Sequence, residues 1–300
     1  MRTKKLLLTA AALLAVGIVS SQAQSPVYSQ NVVGYASVVA PGSQYTMMTV
    51  PFVIGVSNGA DEVFGLAANP SALPPGSPIL IYSTAATNIP MSNVGQTLGV
   101  NGTLPVPAGS YITYYYDPEY VGLGYGAWWS DVSDDNNLPT PCLPVGEGFF
   151  VFPNGTLTTT FAGTVAVNTG GSISTTMPGS QYSMVGSVIP YAGNITVPGA
   201  GALTNNLPPG STVLVYSTGA TNIPLTNVGQ TLGVNGTLPV PAGSYVTYYY
   251  DPEYLSLGYG DWWSDVSDDN NMPEPSLSVG QGIFIFPNSS FNWHQTLQNQ

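Results

Sequence analysis

After residue 5 the chain contains neither lysine nor arginine. Its three basic residues, Arg2, Lys4 and Lys5, all precede the apolar run Leu6–Val19, which leads into Ser20-Ser21-Gln22-Ala23. A basic start, an apolar centre and small residues before a cleavage point predict a secretory signal peptide over residues 1–23. The exported chain then carries fifteen carboxylates and a single histidine, His294, with no permanently charged side-chain cation. Nothing in it neutralises phosphate, which argues against a nucleic-acid partner and against docking on an anionic membrane surface. A phosphate loop would lack its lysine, and an arginine clamp cannot be built. After the signal, no apolar run approaches the roughly 20 residues of a membrane helix.

Cysteine is nearly absent too. Cys142 is alone, so no intramolecular disulfide can form even on the secretory route. Charged residues make up only 6% of the chain, whereas Gly and Pro number 35 and 27. Such composition can signal disorder. Here the abundant aromatic and β-branched residues fall into short grouped runs, which predicts an all-β protein.

The sequence is a tandem duplication. Tyr82–Asn137 aligns with Tyr216–Asn271 at an offset of 134, and seven of the fifty-six positions differ. Upstream, Pro41-Gly-Ser-Gln-Tyr45 recurs as Pro178-Gly-Ser-Gln-Tyr182 at an offset of 137. The second copy has therefore lost three residues between these blocks. There the first copy has Asn58–Gly65, which predicts one capped helical turn, and the second has Gly193–Gly201. A period this long predicts two homologous sandwich-like domains, 24–166 and 167–300, rather than a solenoid of short repeats. Asn101-Gly102 and Asn235-Gly236 predict hairpin turns. Tyr114 and Tyr116 should share one face of a strand and Tyr115 the other. Phe149–Phe152 and Ile283–Phe286, apolar throughout, read as central strands. With no lysine to blunt its sheet edges, the chain must rely on proline and Asp, or pair its edges with another chain; self-association is thus an expected possibility.

Two motifs invite a chemical reading. In Trp128-Trp-Ser-Asp131-Val-Ser133-Asp134-Asp135-Asn136-Asn137, Asp131, Ser133 and Asp135 occupy the first, third and fifth positions of a calcium-loop pattern. Asp265, Ser267 and Asp269 repeat them. The bidentate glutamate of such a loop is missing, because Cys142 or Ser276 stands in its place. The alternative is a solvated turn whose side chains bond their own backbone. The second motif is aromatic: Trp128, Trp129, Trp262 and Trp263, with Tyr114, Tyr115, Tyr116, Tyr120 and Tyr125, are types that stack on sugar rings. They are equally the types that fill a β core. Asp117/Glu119 and Asp131/Asp135 are the carboxylate pairs a glycosidase could use, and each pair lies too close in sequence to flank a sugar ring from opposite sides. Neither copy holds a histidine in its shared core. The expectation is a non-enzyme.

The segment Val27-Tyr-Ser-Gln-Asn-Val-Val-Gly-Tyr35 resembles the start of a group of uncharacterised secreted bacterial β-rich proteins. Leu143-Pro-Val-Gly-Glu-Gly-Phe-Phe-Val151 and Leu277-Ser-Val-Gly-Gln-Gly-Ile-Phe-Ile285 resemble that group's Gly-Gln-Gly-Phe-Phe closing strand. The resemblance covers about a tenth of the chain; it implies export and a β fold, and brings no activity. The sequence thus predicts a secreted or cell-surface structural or interaction protein, whose partner would be an extracellular protein or a polysaccharide. The alternative is a calcium-assisted carbohydrate-binding protein.

Overall fold

The computed structural model describes residues 32–96, 100–131, 134–168, 171–196, 203, 206–231, 235–265 and 268–297. The predicted signal peptide lies outside them. Residues 33–300 form one unit, built almost entirely of strands.

The first repeat contributes β1 (Val33–Ala40), β2 (Thr46–Thr49), β3 (Ser77–Ser83), β4 (Thr87–Ser92), β5 (Asn101–Val106), β6 (Ser110–Tyr116), β7 (Trp128–Trp129), β8 (Asn137–Leu138), β9 (Gly148–Val151) and β10 (Leu157–Thr164). The second contributes β11 (Ser172–Met177), β12 (Ser183–Gly186), β13 (Gly193–Asn194), β14 (Ser211–Ser217), β15 (Thr221–Thr226), β16 (Asn235–Val240), β17 (Ser244–Tyr250), β18 (Trp262–Trp263), β19 (Ser276–Leu277), β20 (Gly282–Phe286) and β21 (Phe291–Thr296). In the first repeat an eight-stranded sheet runs β2-β9-β3-β6-β7-β8-β4-β5, and β1 pairs with β10 in a separate ladder. The second repeats this plan as β12-β20-β14-β17-β18, with the β15–β16 hairpin joined on through single bridges at Asn271 and with β11 paired to β21. All these pairings are antiparallel.

Alternation sets the core. Ile112, Tyr114 and Tyr116 of β6 are buried while Tyr115 on the opposite face is half-buried, as the period of two requires. They pack with Ile79, Ile81, Phe149 and Val151 against Ala36, Ala40, Leu157 and Phe161 of the β1–β10 ladder, giving two layers around one core. The predicted helical turn is present as a short helix, α1 (Ala60–Val63). Its Glu62 side chain accepts from the backbone N–H groups of Val56, Ser57 and Gly59.

One local expectation fails. Asn101-Gly102 and Asn235-Gly236 are not turns; they start β5 and β16, with Gly102 opposite Met91 and Gly236 opposite Leu225. The left-handed conformations that close these hairpins sit earlier, at Asn93 and Gly95 and at Asn227 and Gly229. A second Asn and Gly in the same hairpin took the turn.

The repeats meet through the same face of each. Met47, Phe150, Leu80 and Tyr82 of the first pack with Met184, Phe284, Leu214 and Tyr216 of the second. The contacts are reciprocal. Tyr82 lies edge-on to Phe284 at 5.4 Å between ring centroids, and Tyr216 edge-on to Phe150 at 5.1 Å. The Thr49 N–H donates to the Gly280 carbonyl at 2.8 Å, and the Gly186 N–H to the Gly146 carbonyl at 2.9 Å. Single bridges link Met48 to Gln281 and Val185 to Glu147. Reciprocity of this kind is the mark of a two-fold-related interface, so a pseudo-two-fold axis relates the repeats.

This junction explains the Gly-x-Gly of each closing strand. Gly146 and Gly280 have φ of 78° and 76°, a region open to glycine. A Cβ at Gly148 would lie 2.8 Å from Met184 Cγ, and one at Gly282 would lie 2.9 Å from the Met48 carbonyl oxygen. It also explains why β9 is buried on both faces: Phe149 and Val151 enter their own core, and Phe150 enters the junction.

Candidate functional site

The two motifs singled out by the sequence fall in one place in each repeat, where β7 or β18 follows a short 3-10 turn. That turn (Pro118–Leu123; Pro252–Leu257) starts from Asp117 or Asp251, whose carboxylate accepts from the N–H two residues on. Tyr120, Tyr125 and Trp129 then pack edge-on or tilted to one another with centroid separations of 5.1 to 6.1 Å, and Tyr254, Tyr259 and Trp263 repeat the arrangement.

All four tryptophans of these motifs are buried to within 1% of completely. Trp128, Trp129, Trp262 and Trp263 therefore present no face to a sugar ring, and the stacking site that the sequence suggested at these positions is not formed. Their burial follows from pairing: Trp128 and Trp129 face Tyr116 and Tyr115 across β6, and Leu138 and Asn137 across β8. The last residue of the acidic motif fastens this strand. The Asn137 amide donates to the Trp128 carbonyl at 2.8 Å, while its oxygen accepts from Gly126 N–H and the Ser92 hydroxyl. Asn271 makes the corresponding three bonds.

The acidic residues also serve the turn. Asp131 accepts from the Asp135 N–H at 3.3 Å, and Asp265 from Asp269 at 3.3 Å. Asp134 and Asp268 take left-handed φ of 57°. Ser133 and Ser267 of the calcium-loop pattern lie outside the described residues. Among the described residues no three His, Cys, Asp or Glu side chains are grouped to hold a metal ion.

Electrostatics set Asp134 apart. Burial, then the nearby carboxylates of Asp117 and Asp131, push its carboxyl up to about 6, against a hydrogen bond from Tyr120 that favours the charged form. Burial and Asp251 raise Asp268 in the same way. Burial also raises Glu147 at the junction, Asp261 and Glu274. Glu62 shifts down, held by backbone N–H groups. A raised folded-state pKa gives stability that is complete below the unfolded value and is lost as pH rises through the folded value. The protein should therefore be more stable at pH 5 than at pH 7. Asp134 alone should contribute about 1 kcal/mol of that gain after discounting for solvent screening. Thermal unfolding at the two pH values, with Asp134→Asn to remove its share, checks this.

Sequence reasoning missed Asp61. From α1 its carboxylate accepts from Trp128 Nε1 at 2.9 Å and from the Thr140 hydroxyl at 2.8 Å. The described residues of the second repeat include no such helix. There Glu274 replaces Thr140 and accepts from the Asn194 amide and the Thr196 N–H instead. Trp262 Nε1, the counterpart of the satisfied Trp128 donor, finds no acceptor among the described residues. Asp61→Ala should leave Trp128 in the same condition and cost about 1–3 kcal/mol, the penalty of an orphaned buried donor; chemical denaturation measures it. The available signal was the three-residue length difference, which placed a helix in one copy alone.

His294 stands exposed on β21, away from both motifs. Cys142 is an exposed free thiol. No helix among the described residues is long and apolar enough to cross a membrane.

Comparison with known proteins adds little. No known protein family matches the chain, and no curated protein does. Among solved structures the chain has a faint likeness to the crystal structure of PBSX exported protein XepA, at 9% identity over 88% of this chain and 86% of that one, with a TM-score of 0.12. A likeness at that level carries neither fold nor function.

Proposed function

We propose that the protein is a secreted or cell-surface, non-enzymatic structural or interaction protein made of a duplicated β domain. One observation carries the reading: the conspicuous side chains of both motifs serve the architecture. Trp128 and Trp262 join the cores, Trp129 and Trp263 are buried against the tyrosines of the 3-10 turns, Asn137 and Asn271 fasten the tryptophan strands, and Asp131 and Asp265 accept from backbone N–H groups of their own turns. The β1 strand supports an interaction role. Val33, Tyr35 and Val39 all point outward from it, Tyr35 with 81% of its surface exposed, beside Thr158, Thr160 and Ala162 of β10 and no charged residue. The corresponding outer face of the second repeat carries Ser174, Thr176, Asn292 and His294. The partner on this reading is an extracellular protein, a polysaccharide or a second copy.

The alternative, calcium-assisted carbohydrate binding, draws on the crowding of Asp117, Glu119 and Asp131 about Asp134, a repulsion that a divalent cation would relieve. Thermal unfolding with millimolar calcium and then with chelator separates the two. No shift is expected from a structural module. A rise of several degrees, abolished by Asp131→Ala with Asp265→Ala, together with retention on a glycan column in calcium, would replace the first reading by the second.

A further inference from the structure

We propose that the free edge of β10 receives an added strand from a second copy of this chain, supplied by Val27–Asn31. The inference rests on the reading above of an exported structural protein, because removal of the predicted signal peptide is what leaves a short segment ahead of β1. It gives the second copy named there a definite contact.

β10 pairs along its whole length with β1 on one side. On the other side Thr164 exchanges both backbone hydrogen bonds with Val53, at 2.8 and 3.1 Å. In an antiparallel ladder, successive residues direct their N–H and C=O groups to opposite edges. Ala162, Thr160 and Thr158 therefore aim theirs to the same side as Thr164, and among the described residues no backbone bond reaches them there. A cleft of about 280 Å³ lies along this edge, lined by Thr158, Thr160 and Ala162 of the strand and by Ile54, Val63 and Phe64 in and around α1. An uncovered row of strand donors and acceptors is a template for another chain. An extended segment that adds to such a row takes its affinity from main-chain hydrogen bonds.

The cleft selects its occupant. Because α1 stands opposite the edge, it admits a lone extended segment and turns away the edge of another sheet. From Thr158 to Ala162 the slot is five residues long, and Val27-Tyr-Ser-Gln-Asn31 is five residues, preceded by Pro26, which has no N–H to give a ladder. The segment is uncharged. The charged residue lining the cleft, Glu62, is already held by the backbone N–H groups of Val56, Ser57 and Gly59. Between chains with fifteen carboxylates each, a neutral contact avoids their mutual repulsion. The segment's own chain enters β1 at Val33, on the side of β10 away from the cleft, with the Val53–Thr164 bridge in between. The segment of a second copy meets no such barrier.

The test compares residues 24–300 with residues 32–300, which keep every described strand. Sedimentation should show concentration-dependent association of the longer chain and monomer alone for the shorter one. A labelled peptide of sequence 24–31 should bind the shorter chain, one peptide per chain. Hydrogen exchange should locate the contact, with the amides of Thr158, Thr160 and Ala162 slowed in the longer chain when it associates. Thr160→Pro removes one of those N–H groups at no cost to the β1 ladder. It should abolish association and peptide binding, whereas Thr160→Val should keep both. Circular dichroism checks that each variant folds; if the proline variant does not, the shorter chain and the exchange pattern still decide. Association that survives loss of residues 24–31 would overturn the inference and keep self-association through another face. A monomer at every concentration, or slowed amides in a monomer, would also overturn it. Either leaves a foreign partner to the structural reading, which the calcium melt tests by itself.

Discussion

Phe150→Ala and Phe284→Ala should each destabilise the protein by about 3–5 kcal/mol, the range for deleting a buried phenyl ring. The two costs should be similar although the residues lie in different repeats. Both rings are almost wholly buried, and each lies in the cluster to which both repeats contribute. Phe150 sits among Tyr45, Tyr111 and Tyr216, at centroid distances of 5.9, 6.2 and 5.1 Å. Phe284 sits among Tyr182, Tyr245 and Tyr82, at 6.0, 6.0 and 5.4 Å. These surroundings are the same set seen from opposite sides of the axis. Because the two rings share one cluster, the double variant should cost measurably less than the sum of the singles. Urea unfolding followed by tryptophan fluorescence measures all three. Full additivity would mean that the halves of the junction act independently.

Gly186→Ala should cost about 2–3 kcal/mol, at the upper end of overpacking effects. Its new methyl would collide with Thr49 Cγ2 and lie 2.7 Å from the Gln281 carbonyl oxygen. Gly186 and Thr49 are themselves equivalent positions, meeting near the axis. Two threonines cannot fit there and two glycines would leave a gap, so the duplicated chain holds one of each. Thr49→Ala in the Gly186→Ala background should recover part of the loss, because it removes the collision with Cγ2 and leaves those with the residue-49 Cβ and the Gln281 carbonyl oxygen. Gly65→Ala is the informative contrast: Gly65 has a positive φ of 67°, and a methyl placed there would meet no atom within 4 Å. It should show backbone strain alone, about 1 kcal/mol. Thermal melts of the three variants decide whether close approach, rather than glycine content, holds the repeats together.

Much of this was legible in the residues. The duplication is literal, and the strands follow from runs of β-branched and aromatic residues; the side of β6 that enters the core follows from simple alternation through Ile112, Tyr114 and Tyr116. The short helix in one copy could be read from its Asn-Gly cap and acidic first turn. The junction was not legible. Phe150 and Phe284 look like ordinary members of central strands, and no local pattern says that one face of such a strand meets another repeat. The Gly-x-Gly of the closing strand looked like a family signature and turned out to mark close approach. The tryptophans illustrate the same limit in reverse. Aromatic composition is the same for a sugar platform and a core, and only the pairing of β7 with β6 and β8 separates them. The Asn-Gly hairpin failed because a strong local turn preference at Asn101 competed with a left-handed Asn93 and Gly95 a few residues earlier.

An interface in which each side offers the same patch satisfies both sides at once and leaves no unmatched half. The valence of this fold is therefore saturated at two. Were the gene segment duplicated again, a third unit would find both complementary surfaces already engaged, and it could join the chain only as a bead on a tether. Growth by simple repetition, the route by which solenoids lengthen, is closed to this architecture.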